Sequence, residues 1–96
     1  MGVISTHVLD TAGGMPASGV HVQLFRGDEL VGEGTTDDDG RIRELANVEA
    51  GTYRLVFHPE SPFFRRVEAE IEIEAGRHYH VPLLLSPYAC AIYRGS

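Results

Sequence analysis

The sequence predicts an all-β protein, a β-sandwich of seven to eight short strands in two sheets. Apolar and polar residues alternate with a period of two through several short segments, as is typical of half-buried strands. Turn-forming residues separate these segments, since 11 glycines and 5 prolines occur among 96 residues, and we find no convincing helical pattern. A chain of this length forms one compact core, so we expect a single domain over residues 1–96.

Five of the strands are predicted in the first 58 residues. The alternation in the first strand places His7 on the face opposite to Ile4 and Val8. The segment Thr36–Gly40 predicts a tight turn, because aspartate side chains cap turn backbones and glycine accepts a positive φ. Arg41 follows this turn directly. The predicted strands are Val3–Leu9, Val20–Phe25, Leu30–Thr35, Arg41–Leu45 and Thr52–His58.

The C-terminal third predicts three further strands after a break that contains two prolines. In Val67–Glu74 the glutamates all fall on one face, which predicts a solvated strand surface that also discourages edge aggregation. In His78–Leu85 one face is entirely apolar, whereas the other carries the imidazoles of His78 and His80. Imidazoles are among the few side chains that move protons near neutral pH. Ala89–Tyr93 is predicted as the last strand.

Composition argues against several classes of function. The formal net charge is −6 and no dense basic cluster is present, which disfavours binding to nucleic acid or to an anionic membrane surface. No apolar run approaches the roughly 20 residues of a membrane span, and no export signal is visible near the N-terminus. Cys90 is the single cysteine, so no intrachain disulfide can form. We therefore expect a cytoplasmic protein.

Four motifs, in this order, resemble those of the transthyretin-related 5-hydroxyisourate hydrolases. A Pro-Ala pair at positions 16 and 17 matches a further position of that family. The resemblance extends over essentially the whole chain. The motifs are Ser5–Asp10, Thr36–Arg41, His78–Tyr88 and the closing Tyr93–Ser96.

The resemblance implies a transthyretin-like (prealbumin-like) sandwich of two four-stranded sheets, assembled as a homotetramer with active sites in a channel between dimers. It implies hydrolysis of 5-hydroxyisourate to 2-oxo-4-hydroxy-4-carboxy-5-ureidoimidazoline in urate breakdown. We expect the reaction to need no cofactor and no metal. The implied catalytic residues are His7, Arg41 and His80. The implied substrate-binding residues are His7, Arg41, Tyr93, Arg94 and Ser96.

These residue types suit the hydrolysis of a cyclic amide. The reaction must deprotonate a water molecule and stabilise an oxyanion on the attacked carbonyl group. We expect His7 to activate water, His80 to position it or to transfer the proton, and Arg41 to bind the substrate through its planar set of donors. The sequence leaves open which of the two histidines is the general base.

Several residues have a structural explanation that we prefer. His78 shares a face with His80 but lies nearer the strand end, so we assign it a structural role, and we expect His21 and His58 to be exposed. A zinc site at His78 and His80 would need further ligands, which the sequence does not offer at standard spacing. We expect Cys90 to be a buried, inert thiol.

The chain departs from the family pattern in two places. Residues 89–92 read Ala-Cys-Ala-Ile, where the family usually has Gly-Tyr-Ser-Thr, and this strand helps to line the channel. The segment between His58 and Phe64 is shorter than in relatives, which carry a short helix there, and we expect only a trimmed surface loop. The alternative function is a binding protein for small ligands without catalytic activity, as in transthyretin itself. Lys and Glu occupy the positions of His7 and Arg41 there, which favours the enzyme.

Overall fold

A computed structural model describes residues 1–95 of the chain and contains two β-sheets built from nine strands, with no helix among those residues. The all-β sandwich predicted from the alternating pattern is confirmed. The strands are β1 (Gly2–Asp10), β2 (Met15–Pro16), β3 (His21–Arg26), β4 (Glu29–Thr35), β5 (Arg41–Val48), β6 (Gly51–His58), β7 (Val67–Ile73), β8 (His78–Ser86) and β9 (Ala89–Ile92).

The first sheet is organised around β1. Strand β8 runs parallel to β1 on one side, and β9 continues that side as the outermost strand. On the other side β1 pairs antiparallel with β5 from Gly2 to His7 and with the two-residue β2 at its end. The second sheet is antiparallel throughout, in the order β4-β3-β6-β7. Strand β1 is therefore hydrogen-bonded on both sides, which makes it a rigid base for side chains on its outer face.

Apolar side chains from the inner faces of both sheets form the core. Alternate residues of each strand point inward, as the period of two requires. Ile4 and Val8 of β1 are fully buried and pack in the same cluster as Leu55 and Phe57 of β6. Full burial of a side chain of this size contributes about 1.5–3 kcal/mol. The core takes up one face of β1 and β8. The opposite face is only partly covered, with His7 and His80 half-buried and His78 exposed.

The structure differs from the sequence-based expectations in two details of the fold. The short strand Met15–Pro16 lies within a segment predicted as a loop, and it makes the first sheet five-stranded rather than four-stranded. The prediction that Cys90 is buried is wrong, because its strand lies at the edge of the sheet and the thiol is exposed. The described residues contain no helix long and apolar enough to cross a membrane.

Candidate active site

An open groove lies on the outer face of the five-stranded sheet, where β5, β1 and β8 are neighbours. Its volume is about 630 Å³. The groove combines imidazole, guanidinium and hydroxyl groups on a surface that the core does not use. Its lining residues are Ser5, Thr6, Arg41, Ile42, Arg43, His78 and His80.

Strand register brings the three predicted catalytic residues to neighbouring positions. His7 lies directly opposite Arg41 in the antiparallel pairing of β1 with β5. The parallel pairing of β1 with β8 sets Ser5 beside His80. Because His7 and Ser5 alternate with the core residues of β1, both belong to the outer face. Residues 7, 41 and 80, which are far apart in sequence, thus meet on one surface.

The turn before β5 fixes the backbone of Arg41. The carboxylate of Asp37 accepts hydrogen bonds from the backbone N–H groups of Asp39 at 2.9 Å and Arg41 at 3.0 Å. The bond from Arg41 is the main cause that lowers the pKa of Asp37 below its ordinary value. Gly40 has a φ of +74°, and a Cβ there would lie 2.5 Å from the carbonyl oxygen of Val8. The aspartates and the glycine therefore hold the turn tightly against β1.

A single hydroxyl group connects the two histidines of β8. The Ser5 Oγ lies 2.9 Å from Nδ1 of His80 and 2.7 Å from Nε2 of His78. Ser5 is buried, whereas His80 is half-buried and His78 is exposed. Both distances are those of good hydrogen bonds. The hydroxyl group therefore restrains the His80 ring by one of its two nitrogens.

The surroundings of His80 favour its neutral form. Partial burial is the largest cause that lowers the pKa of His80 below its ordinary value of 6.5. The positive charge of Arg41 lowers it further, and His7 and His78 act in the same direction. A histidine with a lowered pKa is uncharged at neutral pH, so His80 has a lone pair with which to accept a proton.

The C-terminal segment continues along β8 beyond the last strand. The backbone N–H of Tyr93 donates to the Pro82 carbonyl at 3.4 Å, and that of Gly95 donates to the His80 carbonyl at 2.6 Å. A Cβ added at Gly95 would lie only 2.8 Å from Cδ2 of His80. Glycine is thus required here by a close approach to the His80 ring.

The side chains of this segment take different directions. The Arg94 guanidinium lies over the Tyr79 ring at 4.7 Å from the ring centroid, and Tyr79 points to the core side of β8. Tyr93 is exposed and lies with Arg94 beside β7 rather than in the groove. The predicted substrate-binding residue Ser96 lies outside the described residues. Within residues 1–95 the groove thus unites Arg41 and His80 with His7 beside them, and it does not include Tyr93 or Arg94.

Five lining residues were not predicted as part of the site. His78 was assigned a structural role, and no role was assigned to the other four, which are Ser5, Thr6, Ile42 and Arg43. The period of two along each strand partly indicated that Ser5 and His78 belong to the site. Ser5 shares a strand face with His7, and His78 shares one with His80. The parallel pairing of β1 with β8 supplies the rest, and the pairing partner of a strand cannot be read from its own sequence.

Among residues 1–95, no three side chains of His, Cys, Asp or Glu are grouped so as to hold a metal ion. His78 and His80 are instead joined through Ser5. The expectation that activity needs no metal stays a prediction, and exhaustive chelation tests it.

The two-sheet topology and the groove at His80 define a transthyretin-like sandwich with a polar site on one outer face. The chain belongs to the HIUase/Transthyretin family, whose model matches residues 4–95. It is 43% identical to 5-hydroxyisourate hydrolase 2 of Rhizobium meliloti (strain 1021) over 116 residues, covering 99% of this chain and 97% of that protein. The aligned length exceeds 96 residues, so that relative has residues that this chain lacks.

Two solved structures have the same fold. The 5-hydroxyisourate hydrolase of Klebsiella pneumoniae superposes with a TM-score of 0.90 at 36% identity, covering all of both chains. Sea bream transthyretin in complex with thyroxine superposes with a TM-score of 0.85 at 27% identity, covering 96% of this chain and 93% of that one. The family and the fold inferred from the sequence motifs are confirmed.

Proposed function

We propose that this protein catalyses the hydrolysis of 5-hydroxyisourate to 2-oxo-4-hydroxy-4-carboxy-5-ureidoimidazoline, a step of urate degradation. The observation that carries the proposal is the groove in which the His80 imidazole, whose pKa is lowered by its surroundings, and the Arg41 guanidinium share one surface. Hydrolases named for this substrate are similar to the chain over almost its whole length.

The reaction opens a lactam-like C–N bond of the six-membered ring. An imidazole removes a proton from water, and the resulting hydroxide attacks the carbonyl carbon, whose π electrons move onto its oxygen. When that oxyanion collapses, the C–N bond breaks, and the leaving nitrogen takes up the proton. General acid–base help of this kind typically contributes about 10²–10⁴-fold.

Each side chain has a role that suits its surroundings. His7 activates the water molecule, and His80 positions it or transfers its proton. A neutral imidazole is needed for either step, and the surroundings of His80 favour that form. Arg41 presents planar N–H donors to the urea-like oxygens of the substrate and to the developing oxyanion.

We also propose that the active protein is a homotetramer whose C-terminal segment completes the site. The groove is open to bulk water in one chain, and an open site cannot exclude solvent from a flat ring. Strand β9 has one unpaired edge and three exposed residues, which leaves it available to a symmetry-related copy. In this assembly Tyr93, Arg94 and Ser96 contact the substrate.

Removal of residues 93–96 tests the role of the terminal segment. We expect loss of activity with little loss of stability, because the segment contributes nothing to the buried core that residues 1–95 form. The truncated and full-length proteins are compared by sizing chromatography, thermal unfolding and rate. Full activity in the truncated protein would refute the role of the segment, and full activity in a monomer would refute the need for assembly.

A cytoplasmic location is part of the proposal. The chain has one cysteine and so no intrachain disulfide, as is common in reducing compartments. Fractionation of the source cells with an antibody to the protein tests this location.

A decay assay tests the activity. The substrate is generated from urate by urate oxidase, and its ultraviolet absorbance is followed with and without the protein. Acceleration proportional to protein concentration is expected. Binding of thyroxine without any acceleration would instead favour a carrier resembling sea bream transthyretin.

A further inference from the structure

We propose that Ser5 is a positioning residue whose hydroxyl group holds His80 as the tautomer with its proton on Nδ1, leaving Nε2 free to accept a proton in the groove. The Ser5 Oγ lies 2.9 Å from His80 Nδ1 and 2.7 Å from His78 Nε2. The catalytic part of this inference rests on the proposed hydrolase function. The tautomer is a property of the folded protein and can be measured separately.

The position of Ser5 is defined by the pairing of β1 with its two neighbouring strands. It lies on β1, is only 6% exposed, and is in register with His80 of β8. On the β5 side the regular pairing is interrupted between Ile4 and Thr6. Such irregularities re-aim side chains and are over-represented next to active sites. Here the interruption leaves Ser5 without a direct partner on β5 while β8 holds the histidines against it.

The number of protons shared by the Ser5 hydroxyl and the two facing ring nitrogens limits how these groups can be hydrogen-bonded. A serine hydroxyl has one hydrogen to donate and two lone pairs that accept. It can therefore donate to at most one of the two ring nitrogens, and a nitrogen to which it does not donate must carry its own hydrogen and donate to Oγ. Three arrangements satisfy both contacts, because Ser5 can donate to His80, to His78 or to neither. Only the first places the ring proton of a neutral His80 on Nε2.

The arrangement in which Ser5 donates to His80 does not suit a proton acceptor, whereas the other two do. If Ser5 donated to Nδ1 of a neutral His80, the ring proton would be on Nε2, and that nitrogen could accept nothing. If Nδ1–H of His80 donates to Ser5, and Ser5 donates to Nε2 of His78, then Nε2 of His80 keeps its lone pair. When Nε2 takes a proton, the Nδ1–H bond to Ser5 remains as it was. The hydrogen bond between Ser5 and His80 is therefore the same in the neutral and the charged form of His80.

Nitrogen-15 NMR of histidine-labelled protein tests the tautomer directly. At neutral pH we expect His80 to show a protonated-type shift at Nδ1 and an unprotonated-type shift at Nε2. In Ser5→Ala both shifts move toward the averaged values of two exchanging tautomers. Ser5→Thr restores the original pattern, because threonine keeps the hydroxyl group and suits a strand. If Ser5→Ala does not fold, Ser5→Cys takes its place, because a thiol is a weak donor.

Steady-state kinetics test the consequence for catalysis. Ser5→Ala should lower kcat by about tenfold to a hundredfold, the cost of misplacing a catalytic group. KM should change little, since Ser5 acts through His80 and not through the substrate. Ser5→Thr should recover most of the rate. Ser86→Ala is the matched control: it makes the same change on β8, where the hydroxyl only donates to the Ala89 carbonyl, and it should leave kcat and the His80 shifts unchanged.

The two readouts separate the inference from the proposed function. Shifts that show the proton on Nε2 of His80, or that stay the same in Ser5→Ala, would overturn the positioning role whatever the activity. A folded Ser5→Ala protein with the kcat of the unsubstituted protein would also overturn it. A wild-type protein that does not hydrolyse 5-hydroxyisourate would refute the proposed function, and the NMR result would still decide the role of Ser5.

Discussion

Replacing Gly95 by alanine would place a methyl group between the terminal segment and the ring of His80. The added Cβ would lie 2.8 Å from His80 Cδ2 and 3.3 Å from the His80 carbonyl oxygen. Carbon atoms in contact are normally about 3.5–4.0 Å apart. The segment is also tied to β8 by the 2.6 Å hydrogen bond from Gly95 to His80. Either the ring or the segment must therefore move by at least about 0.7 Å.

This displacement should lower the rate of the reaction and leave the stability of the fold nearly unchanged. A misplacement of about 1 Å can cost about 10²-fold, so we expect kcat to fall by about tenfold to a hundredfold. The melting temperature should change little, because Gly95 lies near the chain end and outside the buried core. The assay is the ultraviolet decay of 5-hydroxyisourate, paired with thermal unfolding of the same preparation.

Gly13→Ala is the matched control for this substitution. A Cβ at Gly13 would meet only the flexible carboxylate of Asp10, at 3.1 Å, in an exposed loop. We expect its kcat to equal that of the unsubstituted protein. A Gly95→Ala protein with unchanged kcat would refute the reasoning that the terminal segment positions His80.

Three further predictions concern the groove. His7→Ala, Arg41→Ala and His80→Ala should each lower turnover by at least about a hundredfold and leave the fold intact, because none of the three side chains belongs to the buried core. Protonation of His80 should contribute an acid limb to kcat/KM below pH 6.5, because the pKa of His80 is lowered from that value. The part of the activity that depends on neutral His80 is then lost as the pH falls toward that lowered pKa. Exhaustive chelation should leave the rate unchanged, since the hydrolysis proposed here uses only histidine and arginine side chains.

Each of these predictions has a control or a contradicting result. His21→Ala removes an imidazole from the other sheet and should retain full activity. Rates equal to that of the unsubstituted protein in His7→Ala, Arg41→Ala and His80→Ala would refute the assignment of these three residues as catalytic. A nitrogen-15 NMR titration that places the pKa of His80 above 6.5 would contradict the surroundings described for His80. Loss of rate on chelation, restored by zinc, would show that a metal takes part.

The parts of the fold that depend on alternation could be predicted from the sequence. A period of two assigns Ile4 and Val8 to the core and His7 to the outer face, because successive side chains of a strand point in opposite directions. The turn before Arg41 could be predicted for a similarly local reason, the aspartates and the glycine at position 40. Both features depend only on neighbours along the chain.

The features that were missed depend on contacts between distant segments. Nothing local indicates that β1 and β8 are parallel neighbours, yet that pairing sets Ser5 beside His80 and makes His78 part of the groove. The exposure of Cys90 follows from the position of β9 at the sheet edge. Strand order is decided by the packing of the whole chain. The periodicity within one segment carries no information about that order.

The proposed hydrolase activity and its site are tested most directly by the decay rate of 5-hydroxyisourate, measured with the unsubstituted protein and with Arg41→Ala and His80→Ala at equal concentration. We expect strong acceleration by the unsubstituted protein and a rate at least about a hundredfold lower for each variant, with all three proteins folded. No acceleration by the unsubstituted protein, or equal acceleration by all three, would contradict the proposal.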